Sequence, residues 1–93
     1  MAIDILNFDS AYAKYFYDLN IEWLQTYFYV EPYDEEVLSK PEVYIIQKGG
    51  FIFFAKIDSK VVGTVALMPT DSEGILELTK MAVLPQELSL IHI

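Results

Sequence analysis

The sequence has no cysteine and no arginine, a single histidine, and only four glycines and four prolines among 93 residues. Without cysteine there is neither a disulfide framework nor a thiolate metal site, and a reducing compartment suits the chain. No metal site of any kind is expected. Six lysines stand against 14 acidic residues, so the formal charge is -8. Surfaces that grip nucleic-acid phosphates or anionic membranes need clustered Lys and Arg, so neither partner is expected. No apolar run approaches the roughly 20 residues that span a bilayer. The start, Met1-Ala2-Ile3-Asp4-Ile5, lacks the basic region and continuous apolar core of a secretory signal. The expected location is cytoplasmic.

What the chain does have is apolar mass. Hydrophobic residues make up 54% and aromatic residues 15%, which argues against disorder. A chain of this length supports one small domain, with little margin of stability.

Ile3 to Phe8 alternates as a short first strand. Asp9 and Ser10 then offer N-cap oxygens, and Tyr12, Tyr15, Phe16, Leu19, Trp23, Leu24, Tyr27 and Phe28 recur at spacings of three and four. That spacing predicts a long amphipathic helix. Asp18 and Glu22 lie on its flank and read as a solvated face; the alternative is that Asn20 and Glu22 face a substrate. Glu31-Pro32-Tyr33 breaks the helix, Asp34-Glu35-Glu36 suits the positive end of a second short one, and Pro41 marks its end. Glu42 to Lys48 fits a strand by its β-branched content, or a helical turn running into Gly49-Gly50. Phe51 to Ile57 is apolar at every position but Lys56, as in a strand covered on both faces. A tight turn at Asp58-Ser59-Lys60 leads to a return strand from Val61 to Met68, and a polar turn leads to Ile75 to Leu84. Gly63 within the return strand suggests a bulge or a close backbone approach. The fold class is α+β, in the order β-α-α-β-β-β, with a mainly antiparallel sheet.

Read together, Leu19-Asn20-Ile21-Glu22-Trp23-Leu24, Val30-Glu31-Pro32, Gly49-Gly50, Phe54-Ala55, Val61-Val62-Gly63-Thr64-Val65-Ala66-Leu67 and Glu77-Leu78-Thr79-Lys80-Met81-Ala82-Val83-Leu84-Pro85 resemble, in that order, the N-terminal half of a domain of the GNAT superfamily of N-acetyltransferases. The resemblance implies acetyl transfer from acetyl-CoA, as co-substrate, to an acceptor amine of a small molecule or protein. It also implies a bulged fourth strand that splays from its neighbour and accepts the pantetheine arm as if it were another strand. Carried over by residue, main-chain groups of Met81, Ala82 and Val83 are the cofactor-binding candidates, and an N–H near Ala82 or Val83 would polarise the thioester carbonyl. Glu77 is the candidate general base, provided partial burial raises its pKa; a solvated strand residue is the competing reading. Lys80 reads as surface. Tyr27, Tyr29 and Tyr33 are candidates for a wall of the acceptor site.

The resemblance covers residues 1–86 and then stops. The family continues into a glycine-rich loop and a helix whose N-terminus binds the coenzyme A diphosphate, whereas this chain reads Glu87-Leu88-Ser89-Leu90-Ile91-His92-Ile93. The C-terminal half of the fold is therefore expected to be missing, and the chain, as a fragment, to bind acetyl-CoA weakly or not at all and to be inactive. His92, in an apolar tail, is a poor catalytic candidate. The alternative is a small non-catalytic module that self-associates, or binds a partner, through its open strand edge. Residues 87–93 form a non-family tail. Leu88 to Ile93 is what CTG-TCT-CTT-ATA-CAC-ATC encodes, which looks like a transposon mosaic-end adapter used in sequencing-library preparation. The hypothesis, motivated by the loss of pattern after Gln86, is that the reading frame runs into adapter there. Resequencing the source DNA should give a different continuation, and a genomic copy that truly ends at Ile93 overturns the idea.

Overall fold

The computed structural model describes residues 3–84. In chain order they form strand β1 (Ile3–Asn7), helix α1 (Ala13–Tyr27), helix α2 (Pro32–Ser39), a one-turn helix α3 (Pro41–Tyr44), and strands β2 (Phe51–Ile57), β3 (Lys60–Pro69) and β4 (Leu76–Val83). The strands make one antiparallel sheet in the order β1-β2-β3-β4. The expected α+β order is thus present, with α3 added. The tail at 87–93 and the boundary at 86 lie outside the described residues.

Local chemistry accounts for each boundary. The Asp9 carboxylate accepts a hydrogen bond from the Ala11 N–H at 2.8 Å and caps a short 3-10 turn that leads into α1. The start of α2 carries a capping box, in which the Glu31 N–H donates to the Asp34 carboxylate at 3.1 Å and Pro32 occupies the first turn. Of the two readings of Glu42 to Lys48, the helical one holds. Pro41 opens α3, a 3-10 turn spans Ile46–Lys48, and Gly49 ends it in the left-handed region at φ 86°. A β-branched run therefore turns helical because its two ends, a proline and a glycine, are set for helix entry and exit.

The core lies between the helices and one face of the sheet. Phe16, Val37, Leu38, Ile45, Ile52, Phe54 and Ala66 form it, and Tyr12 and Phe8 close over Phe54 with ring centroids 5.5 and 6.5 Å away. Helix α1 packs on β3 and β4, and α2 packs on α1. Phe16 is fully buried, so its truncation to Ala would cost about 3–5 kcal/mol. Asn20 also sits on this inner side of α1. It is 3% exposed, and its side-chain amide donates to the Phe16 carbonyl at 2.9 Å. It does not face a substrate.

Strand β2 departs from the expectation of burial on both faces. Its even-numbered residues Ile52 and Phe54 are buried, whereas Phe51 is 49% exposed and Phe53 and Ala55 are half-buried. Among the described residues, the helices account for one face only. The other face presents apolar side chains from all four strands.

Two irregularities shape β3 and β4. Ala55 pairs with Gly63 while Lys56 pairs with Val61, which leaves Val62 as a bulge next to Gly63. Ala66 pairs with Lys80 while Leu67 pairs with Leu78, which leaves Thr79 as a bulge in β4. Thr64, buried within β3, donates its hydroxyl to the Phe53 carbonyl at 3.0 Å.

Gly50 is where the α3 region meets the sheet. Its N–H donates to the Ile45 carbonyl at 2.8 Å. A Cβ there would lie 2.8 Å from that same carbonyl oxygen, 2.8 Å from Ile45 Cγ2 and 2.7 Å from Met68 Sδ. Gly50→Ala is therefore expected to destabilise the protein by about 1–3 kcal/mol, read as a lowered thermal midpoint. An unchanged midpoint would show that the contact relaxes freely.

Candidate functional site

Strand β4 borders the sheet, with β3 on one side and a free edge on the other among the described residues. The Leu84 N–H donates to the Val62 carbonyl at 2.9 Å, flanking the Gly63–Val83 pair. In an antiparallel ladder, hydrogen-bonded and non-bonded pairs alternate. The main-chain groups of Ala82, opposite Thr64, therefore face β3. Those of Met81 and Val83 point to the free edge. The Thr79 bulge lies two residues before Met81, so the edge is distorted immediately ahead of the outward groups of Met81 and Val83.

The side chains divide the same way. Met81 and Val83 line an apolar hollow of about 260 Å³ on the open face, together with Ile5, Phe53, Ala55, Gly63 and Val65. Ala82 is fully buried on the helix side. Of the three cofactor candidates, Met81 and Val83 thus offer backbone to the edge, whereas Ala82 offers it to the sheet. Glu77 pairs with Met68 across the strands and shares its helix-side face. It is exposed. The partial burial expected for a tuned carboxylate is absent, because β4 extends past the helices at this end.

A second hollow of about 200 Å³ opens on the helix side of β4, between α2, the α3 region and the bulge. Tyr33, Val37, Tyr44, Ile45, Lys48, Met68, Thr79 and Lys80 line it. The Tyr33 and Tyr44 rings meet edge to face at 6.3 Å and 82°. Lys48 lies over the Tyr44 ring, 5.6 Å from its centroid. Lys80 pairs with Asp34 at 3.4 Å. Of the three tyrosines proposed as an acceptor wall, Tyr33 lines this hollow. Tyr27 instead packs on Trp23 at 4.7 Å, and Tyr29 is 75% exposed.

One acidic residue braces this wall. The Glu36 carboxylate accepts from Lys40 at 2.9 Å and from the Tyr44 hydroxyl at 2.8 Å. These bonds, the Lys40 one first, hold its carboxyl below the usual range. The stabilisation is present above the unfolded carboxyl pKa and is lost as pH falls through the depressed folded value. The bond to Glu36, with burial second, raises the Tyr44 phenol; that contribution is lost as pH climbs through its folded pKa. One residue earlier on α2, Glu35 accepts from the Tyr17 hydroxyl of α1, and that phenol is raised chiefly for this reason.

Lys48, Tyr44 and Thr79 carry no mark in the sequence that would single them out. Lys48 and Tyr44 fall in the stretch that fits strand and helix alike by sequence, and Thr79 is an ordinary strand residue until the register shift makes it a bulge. The Asp34–Lys80 pair joins residues 46 positions apart, a separation no local pattern reveals.

No family model matches the chain, and no curated protein sequence does. Solved structures do. An acetyltransferase of the GNAT family from Staphylococcus aureus Mu50 aligns with a TM-score of 0.78 at 22% identity, over 96% of this chain and 57% of that one. A protein assigned to the same acetyltransferase family from Desulfovibrio desulfuricans aligns at 0.70 and 20% identity, over 94% and 55%. An acetyltransferase from Streptococcus agalactiae 2603 aligns at 0.68 and 19% identity, over 92% and 54%. The chain spans little more than half the length of these proteins. By these matches, residues 3–84 have a partial GNAT fold.

Proposed function

We propose that these residues supply one wall of the site of an acetyl-CoA-dependent N-acetyltransferase, which moves an acetyl group to an amine of a small molecule or protein. The observation that carries the reading is the edge of β4 left unpaired among the described residues, where Met81 and Val83 turn their N–H and C=O groups outward directly after the Thr79 bulge. An extended amide-bearing arm such as pantetheine is complementary to such an edge. An outward N–H can also stabilise the oxyanion that forms when the amine attacks the thioester carbonyl. In that step a C–N bond forms and the C–S bond breaks, while the amine proton passes to a base. Glu77 is assigned as that base, directly or through water, with its exposure permitting proton exchange with solvent. Residues 3–84 offer one wall of the cleft, so turnover is assigned to the longer architecture of the matched acetyltransferases. A cytoplasmic location belongs to the same proposal; no helix among the described residues is long and apolar enough to cross a membrane.

A pantetheine thioester, which lacks the diphosphate, probes the edge alone. It is expected to shift the Met81 and Val83 amide resonances. Met81→Pro removes an outward N–H that the sheet does not use, so the fold should survive and the Val83 shift should vanish. Ala82→Pro removes a ladder bond and should unfold the strand. Shifts that persist in the proline variant overturn the reading. The alternative, a non-catalytic module that pairs β4 with a second copy, draws on the half-exposed Leu76 and Leu78. A discrete dimer with no response to the thioester would favour it.

Wherever turnover is measured, Glu77→Gln should lower kcat by on the order of 10²- to 10⁴-fold, with KM little changed. A variant as active as the parent removes Glu77 from the mechanism.

A further inference from the structure

The hollow between α2, the α3 region and the β4 bulge differs in charge from the chain as a whole. The chain carries a formal charge of -8, yet both charged residues lining this hollow are lysines. Lys80 is held by Asp34. Lys48 forms no ion pair among the described residues and rests over the Tyr44 ring instead. Beneath the lysines the lining is apolar and aromatic, with Tyr33 and Tyr44 set edge to face and Val37 and Ile45 buried.

Size narrows the occupant. A volume of about 200 Å³ lies below the range of drug-sized pockets. Its place narrows the occupant further. Met68 and Thr79 line the hollow, and Met68 pairs with Glu77 across the strands. A molecule seated there lies on the helix side of β4, beside the carboxylate assigned as the base.

We infer that this hollow is the acceptor pocket, and that its acceptor is a small amine carrying a carboxylate and an apolar or aromatic body, an amino-acid-like zwitterion rather than a polyamine. The assignment rests on the acetyl-transfer reading above and names the substrate class for that same site. The Lys48 ammonium meets the carboxylate, the tyrosine rings and Val37 take the body, and the amine turns toward β4. A polycation would instead face the Lys48 ammonium, which has no carboxylate partner among the described residues.

The test uses the 93-residue protein with three probes followed by amide shifts: L-phenylalanine, phenethylamine (the same body without the carboxylate) and spermidine. Phenylalanine is expected to shift Tyr33, Tyr44 and Thr79 and to bind at least tenfold more tightly than phenethylamine. Lys48→Gln should erase that difference and Lys48→Arg should keep most of it, with both variants melting like the parent since Lys48 is exposed. Phenethylamine or spermidine binding as tightly as phenylalanine overturns the inference, and so does the absence of binding by all three. The pantetheine-thioester response at Met81 and Val83, measured on the same samples, reports separately on the acetyl-transfer reading. A retained thioester response with no preference for the carboxylate sinks the substrate class alone.

Discussion

The burial of one stripe of α1 against one face of the sheet fixes most of the remaining geometry. Phe16, fully buried, and the residues around it place the helix over β3 and β4. Side chains alternate along a strand. Once Ala66 and Ala82 are committed to the helix side, Val65, Met81 and Val83 are committed to the other. A slip of one residue in β4 would exchange these sets, so the packing of a helix far away in sequence sets which residues a ligand can meet.

The same commitment governs the backbone. In the stretch after the bulge, the residue whose side chain enters the core also bonds to β3, and its neighbours turn their N–H and C=O groups outward. Core packing and edge chemistry are thus two readings of one register. The Thr79 bulge interrupts that register between Leu78 and Lys80, so the strand segments on its two sides obey separate alternations. Glu77 and Met81 fall on opposite sides of the break. They lie on opposite faces of the sheet for that reason, although four residues apart in a regular strand they would share a face.

Much of the fold was legible in the sequence. Helix α1 announces itself by spacing, α2 by Pro32 and the acids behind it, and the β2–β3 hairpin by two apolar runs either side of Asp58-Ser59. The order of these pieces carried the family resemblance. What escaped has physical causes. Alternation in β2 could not be read because Phe51 to Phe54 are apolar at every position, and hydropathy alone does not say which face the helices choose. The bulge at Thr79 leaves no glycine behind it. The second hollow draws on Tyr33, Lys48 and Thr79, which come from three separate elements. Glu77 stood out as a charge in an apolar strand, but its exposure depends on where the helices end, which is a tertiary fact.

The Asp34–Lys80 pair gives the arrangement a further property. It ties the first turn of α2 to the residue just past the bulge, so the wall of one hollow and the edge of β4 are joined by a half-buried ionic contact. Lys80 thus sits one residue before Met81, within the strand, and at the same time on the wall of the hollow. By thermodynamic reciprocity, whatever the edge gains from an occupied hollow, the hollow gains by the same factor from an occupied edge.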